Sequence, residues 1–244
     1  MEEKCLAVIT ARGGSKRIPR KNIKEFCGKP IIEYSVKAAL ESGIFDEVMV
    51  STDDAKIAGI AKEAGAKVPF FRSEENSGDM AMTHEVVLEV LHQYERIGQN
   101  FDIVCCIYPT APFLTSQKLK ESMEKLRSLR ADGVVPVVRY SFPPQRCFVA
   151  KDGFIRYQWP ENRLKRSQDL EPYYHDCGQF YLLRVPPFLE EKSMVLGKTV
   201  PLVMEELEVQ DIDTLEDWAV AELKYRLLQE KGRASGADRG LAGS

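Results

Sequence analysis

Apolar runs of strand length alternate with stretches of helical period along most of this chain, and that alternation leaves few folds open. "CLAVIT" (5–10) precedes a segment in which Ile32, Val36, Ala39 and Leu40 share one helical face; "EVMVST" (47–52) precedes one in which Ile57, Ile60, Ala61 and Ala64 do the same. The rhythm continues through "KVPFF" (67–71), a helix from about Thr83 with Val86, Val87, Val90, Leu91 and Tyr94 inward, "DIVCCIY" (102–108), a helix after Thr115, and "GVVPVV" (133–138). Repeated strand–helix–strand units predict an α/β protein with a Rossmann-like, mostly parallel sheet and helices on both faces. At 244 residues the chain suits a single domain, expected over residues 1–232.

The rhythm breaks after Arg139. Residues 140–172 are rich in Pro, Arg and aromatics, offer no amphipathic helix, and carry an Asp152-Gly153 hairpin signal. Such an excursion from an α/β domain reads as a lid or an oligomerisation arm. Regular structure is expected to return with "CGQFYLLR" (177–184) and "LEVQDID" (207–213), followed by a closing helix from Thr214 to about Lys231 anchored by Trp218. The Gly/Ala/Ser-rich stretch 233–244 reads as a flexible tail.

Charge is concentrated where a ligand would sit. The chain's formal net charge is −3, yet from Arg12 to Lys24 there are six basic residues and no acid. In open α/β sheets ligands bind beyond the carboxyl ends of strands, and this loop follows the first strand. Gly13 and Gly14 permit close approach of backbone N–H groups to a phosphate chain, while Arg12, Lys16 and Lys21 supply charge and donors for its oxygens. The pattern is neither a Walker loop nor a dinucleotide fingerprint. Because the basic charge is local in an acidic chain, the expected partner is a small anion, and nucleic acid is not expected.

A triphosphate calls for a divalent ion, and Mg²⁺ takes one or two carboxylates besides phosphate oxygens. "VQDIDTLEDW" (209–218) offers Asp211 and Asp213, which project to one side if that stretch is a strand. Asp213 equally fits a helix N-cap in a capping box with Glu216. The three histidines and six cysteines have no chelating spacing, so zinc is not expected and the thiols read as reduced and mostly structural. No apolar stretch approaches the length of a membrane span and the N-terminus lacks a signal-peptide layout, which predicts a cytoplasmic protein with no membrane partner. Polar groups for a polyhydroxylated carboxylate occur in "SFPPQR" (Gln145, Arg146) and "YYHDCGQFY" (Asp176, Gln179, Tyr181). "CIYPTAPFL", with prolines flanking Thr110 and Ala111, predicts a rigid rim at a strand end. His175 reads as packed or hydrogen-bonded, and Arg72 as a strand-end cation within reach of a base or a phosphate.

Three of these stretches together resemble the sugar-acid cytidylyltransferases, the CMP-sialic acid synthetase group, across nearly the full chain. "ARGGSKRIPRKN" looks like that group's nucleotide motif, "YPTAPF" like its P-T-containing motif, and "DIDTLEDW" like its metal-binding C-terminal motif. The resemblance implies a nucleotidyltransferase sheet, a homodimer with residues 140–172 as the dimerisation arm, and transfer of CMP from CTP to a sugar acid with release of pyrophosphate. It further implies that Arg12, Ser15, Lys16, Lys21 and Asn22 hold the phosphates and ribose or base, that Arg72 and Thr83 meet cytosine, and that Asp211 and Asp213 hold Mg²⁺. Arg12, Lys16, Lys21 and Asp211 are the expected catalytic residues, and no side chain stands out as a general base. Tyr108 replaces the family's glutamine before P-T. With "SFPPQR" and "YHDCGQFY" it is similar to the branch that activates pseudaminic acid, a nine-carbon sugar acid. Other acids, such as N-acetylneuraminic or legionaminic acid, remain alternatives, and a non-catalytic nucleotide-binding protein is a lesser one.

Overall fold

The computed structural model describes residues 3–241, with side chains described to residue 232. Its strands and helices, in chain order, are β1 (Cys5–Thr10), β2 (Glu25–Phe26), β3 (Lys29–Pro30), α1 (Ile32–Ser42), β4 (Glu47–Ser51), α2 (Ala55–Glu63), α3 (Thr83–Arg96), β5 (Ile103–Ile107), α4 (Ser116–Ser128), β6 (Gly133–Arg139), β7 (Phe148–Lys151), β8 (Phe154–Tyr157), β9 (Tyr174–Asp176), β10 (Phe180–Arg184), α5 (Val185–Glu191), β11 (Thr199–Val203) and α6 (Leu215–Leu241).

The main sheet has the order β11-β6-β10-β5-β1-β4, with β9 also on β6. β1 runs parallel to β4 and β5, and β6 parallel to β11, while β10 lies antiparallel between β5 and β6. The expected mostly parallel sheet is therefore present, with β10 and β9 as its reversed members. β9 and β10 form one interrupted line along β6. The break falls at Cys177–Gln179, where Gly178 takes φ +60° and Cys177 N–H bonds the carbonyl of Pro136.

Side-chain alternation along β1 puts Cys5, Ala7 and Ile9 on one face and Leu6 and Val8 on the other. The first set packs with Ile32 and Val36 of α1, Ile57 and Ala61 of α2, and Leu119, Met123 and Leu126 of α4. The second packs with Val87, Val90, Leu91 and Tyr94 of α3 and Phe188, in α5. Both faces are thus covered, as a parallel sheet requires. A third core of Ile18, Phe26, Ile31, Tyr34, Phe113, Ile212, Trp218 and Ala221 joins the basic loop to the start of α6. Phe26 meets Tyr34, Trp218 and Tyr225 edge-on, each with ring centroids 5.6 Å apart.

Three expectations change. "KVPFF" forms only an isolated bridge, Lys67 to Met49, because Pro69 has no N–H to continue a ladder. "LEVQDID" begins in a single 3₁₀ turn (Glu206–Glu208), and residues 209–213 belong to no helix or strand, so the two aspartates are not presented by a strand. The closing helix does not end near Lys231 but runs on to Leu241, across most of the stretch read as a tail; residues 242–244 lie outside the described residues.

Between β6 and β9 the chain leaves the main sheet. β7 and β8 pair antiparallel through Asp152 (φ 54°) and Gly153 (φ 81°), the backbone a two-residue hairpin turn demands. Gln145 is buried, donates to the Glu171 carbonyl at 2.8 Å, and its own carbonyl accepts from Asn162 Nδ2 at 3.3 Å.

Candidate active site

A cleft of about 690 Å³ opens at the carboxyl ends of β1 and β5. It is lined by Arg12, Ser15, Lys16, Lys21 and Asn22 of the basic loop, by Arg72 and Thr83, and by Tyr108, Pro109 and Thr110 of the proline turn. Nine sequence-predicted site residues therefore converge: Arg12, Ser15, Lys16, Lys21, Asn22, Arg72, Thr83, Tyr108 and Thr110. Thr10, Arg17 and Asp79 also line it and were not foreseen.

The acid-free loop finds acids elsewhere in the chain. Arg12 Nη1 donates to the Asp79 carboxylate at 2.8 Å and to the Gly78 carbonyl at 3.0 Å, and Lys16 pairs with the same carboxylate. Lys16 and Arg12 hold the Asp79 carboxyl below the usual range. Arg17 pairs with Asp213 at 2.7 Å; Lys21 donates to the Ile212 carbonyl at 2.7 Å and lies 3.5 Å from Asp213. Arg20, in the left-handed region at φ 57°, is held by Asp54. Asp54 meanwhile caps α2, accepting from the N–H groups of Lys56 at 2.9 Å and Ile57 at 3.0 Å. Adjacent Asp53 accepts the Gly13 N–H at 2.8 Å. Asn22 is buried and donates to the Arg12 carbonyl at 2.8 Å, fixing the backbone that presents the guanidinium.

Gly13 and Gly14 do not line the cleft. The Gly13 N–H is spent on Asp53, and a Cβ at Gly13 would stand 3.0 Å from Asp54, so the need for glycine there is close packing against the N-cap of α2.

Arg72 is the cleft's buried cation. It donates Nε to the Ser51 hydroxyl at 3.0 Å and Nη2 to the Ser51 carbonyl at 2.7 Å, and makes no ion pair among the described residues. Burial pushes its pKa down, yet a guanidinium stays charged, so the site favours a ligand that brings an anion or carbonyl oxygen to it.

Tyr108 is clamped at both backbone groups: its N–H donates to Gln179 O at 2.8 Å, and its carbonyl accepts from Ser35 Oγ at 2.8 Å. Its hydroxyl lies 3.2 Å from Thr83 Oγ1, and its ring meets Tyr181 edge-on with centroids 5.8 Å apart. Tyr181 donates to Asp176, and burial followed by that carboxylate raises its pKa far above the ordinary phenol range. Asp176, Gln179 and Tyr181 thus stand behind the Tyr108 rim and do not line the cleft. Gln179 is buried and donates Nε2 to the Glu208 carbonyl at 2.6 Å. Gln145 and Arg146 lie in the 140–172 excursion, away from the cleft lining. His175 is exposed, its Nδ1 2.9 Å from the Asp176 carbonyl.

The competing roles of Asp213 separate cleanly. The box that starts α6 is formed by Thr214 and Asp217: Thr214 Oγ1 accepts the Asp217 N–H at 3.2 Å, and the Asp217 carboxylate accepts the N–H groups of Thr214 at 2.8 Å and Asp213 at 3.1 Å. Asp213 is released from capping, and its carboxylate faces Arg17 and Lys21, both at the cleft. Asp211 is exposed beside it. No three metal-ligating side chains cluster among the described residues. Neither Asp211 nor Asp213 lines the cleft, and only Asp213 is tied to it, through Arg17 and Lys21; one or two carboxylates suffice for Mg²⁺ when phosphates complete its shell, and the hard oxygens of Asp213 are of the kind it takes.

Comparison with known proteins places the chain in a family. The Cytidylyltransferase family model matches residues 6–223. The pseudaminic acid cytidylyltransferase of Campylobacter jejuni is 41% identical over 228 residues, covering 93% of this chain and 98% of that one. The CMP-N,N'-diacetyllegionaminic acid synthase of Legionella pneumophila is 35% identical over 234 residues, again 93% of this chain and 98% of that one. Among solved structures, a CMP:2-keto-3-deoxy-manno-octonic acid synthetase superposes with a TM-score of 0.63 over 93% of this chain and 99% of that one, at 19% identity, a likeness of fold.

Proposed function

The chain belongs to the cytidylyltransferase family, and on that premise we propose that it transfers CMP from CTP to the anomeric hydroxyl of pseudaminic acid, releasing pyrophosphate. The observation that carries the nucleotide half is the convergence of Arg12, Lys16, Lys21 and the buried Arg72 on one cleft. The acceptor rests on the likeness to the Campylobacter jejuni enzyme and on Tyr108 at the rim.

In this reading the sugar hydroxyl attacks the α-phosphorus in line and pyrophosphate departs, so the protein's work is positioning and charge stabilisation. Arg12, Lys16 and Lys21 take up charge on the phosphates and the leaving group. Ser15 and Asn22 fix the nucleotide, and Arg72 and Thr83 meet cytosine. Tyr108 and Thr110 border the sugar acid. Asp176, Gln179 and Tyr181 support that rim from behind. Asp211 and Asp213 would hold Mg²⁺, which when bound neutralises phosphate charge and acts as a Lewis acid.

The excursion is read as a dimerisation arm. Phe142 is 88% exposed, Leu164 85% and Phe154 69%, an apolar surface of the kind that marks a protein interface. Gln145 Oε1 and Arg146 Nε are buried without a hydrogen-bond partner, consistent with a region completed by a second copy. No helix among the described residues is long and apolar enough to cross a membrane.

The second reading, activation of legionaminic or N-acetylneuraminic acid, is favoured by the Legionella relative and by N-acylneuraminate cytidylyltransferases of Streptococcus agalactiae at 32% identity. Pyrophosphate release from CTP and Mg²⁺ separates them. Release with pseudaminic acid and not with the other two is the expected outcome; release only with another acid overturns the acceptor and leaves the nucleotide reading standing.

A further inference from the structure

Asp79 occupies the two cations at the mouth of the cleft with its own negative charge. Its carboxylate accepts from Arg12 Nη1 at 2.8 Å and pairs with Lys16, and the neighbouring Gly78 carbonyl takes a second hydrogen bond from Arg12 at 3.0 Å. A carboxylate and a carbonyl set on an arginine and a lysine reproduce the donors' preference for phosphate oxygens. The tip that carries them is pinned on either side. The Glu89 carboxylate accepts from the N–H of Ser73 at 2.8 Å and from Asn76 Nδ2 at 2.5 Å, and Glu85 accepts from the Met82 N–H at 2.8 Å. Between those anchors Met80 is almost fully exposed, so the tip at 78–81 is not packed against α3 through that side chain.

We infer that Asp79 is an internal competitor of the nucleotide's phosphates: it holds Arg12 and Lys16 before the nucleotide binds, yields them to CTP, and takes them back as pyrophosphate leaves. The inference rests on the reading of Arg12 and Lys16 as phosphate ligands. Its physical basis is that two phosphate-binding cations with no local acid repel one another in the free protein. A tethered carboxylate relieves that repulsion at the cost of nucleotide affinity. Asp79 is then a residue that tunes binding and product release, without contact to the reacting atoms.

The test is calorimetric titration of the full chain with inorganic pyrophosphate and with CTP, in EDTA, comparing the native protein with Asp79→Asn and Asp79→Glu. Loss of two exposed charge pairs predicts that Asp79→Asn binds both ligands about threefold to tenfold more tightly, while Asp79→Glu, which keeps the charge, stays near the native value. In steady state the same Asn variant should show a lower KM for CTP and stronger product inhibition by pyrophosphate, a split that a merely structural role would not produce. Unchanged or weaker pyrophosphate binding by Asp79→Asn, with an unaltered thermal melt, overturns the proposal. Failure of both the native and the Asn protein to bind either ligand would instead overturn the phosphate assignment on which it stands.

Discussion

The basic loop and the 140–172 excursion are both surface segments rich in positive charge, yet they are finished to different degrees. In the loop, Arg12, Lys16, Arg17, Arg20 and Lys21 each meet a carboxylate from another part of the chain, and the loop rests on a core of its own built around Phe26 and Trp218. In the excursion, large apolar side chains face outward; buried polar atoms without partners occur there, at Gln145 and Arg146, and also behind the cleft rim, at Gln179 Oε1. The loop's charges are met within one chain, whereas the outward apolar side chains of the excursion are not covered by it, the difference expected of a segment that, as proposed, docks on a second copy. The contrast predicts that substitutions in the loop's foundation act on stability and turnover, while those on the hairpin act on assembly.

The largest expected effect is on the foundation. Trp218→Ala removes a buried aromatic that also carries Lys24 over its ring at 4.7 Å, and should cost about 3–5 kcal/mol of unfolding free energy in denaturant titration. A loss under 1 kcal/mol would detach the loop from that core. Next, Lys21→Met should lower kcat about 10²–10³-fold with little change in the thermal melt, as expected when one preorganised cation at a leaving group is lost. Gly13→Ala is expected to cost about 1–3 kcal/mol, because its methyl would meet Asp54 at 3.0 Å where the loop and the cap of α2 touch. On the other side of the comparison, Phe154→Asp with Ile155→Asp should shift the protein to monomer in sedimentation velocity while leaving the unfolding free energy per chain within about 0.5 kcal/mol, the range of ordinary surface substitutions. A monomeric native protein would break the comparison at its weaker end.

Much of this was legible in the sequence for physical reasons that can be named. Inward positions of α3 follow from spacing, since Val86, Val87, Val90, Leu91 and Tyr94 are all buried. The Asp152-Gly153 hairpin follows from the positive φ angles its turn requires. The basic loop's place at a strand end follows from the fold class. What escaped was anything decided between distant segments. An apolar run such as "FYLLR" carries no mark of its direction, so the reversal of β10 could not be read. "DTLED" admits two capping registers one residue apart, and the folded chain uses Thr214 with Asp217. Asp53, Asp54 and Asp79 look like ordinary loop acids until folding brings them to Gly13, Arg20 and Arg12.

The most direct test of the central assignment is a crystal structure of the protein with CTP bound. The account predicts phosphate oxygens on Arg12, Lys16 and Lys21, cytosine against Arg72 and Thr83, and Asp79 displaced from its two cations. Triphosphate density anywhere else, with the Arg12–Asp79 and Lys16–Asp79 pairs intact, would contradict it.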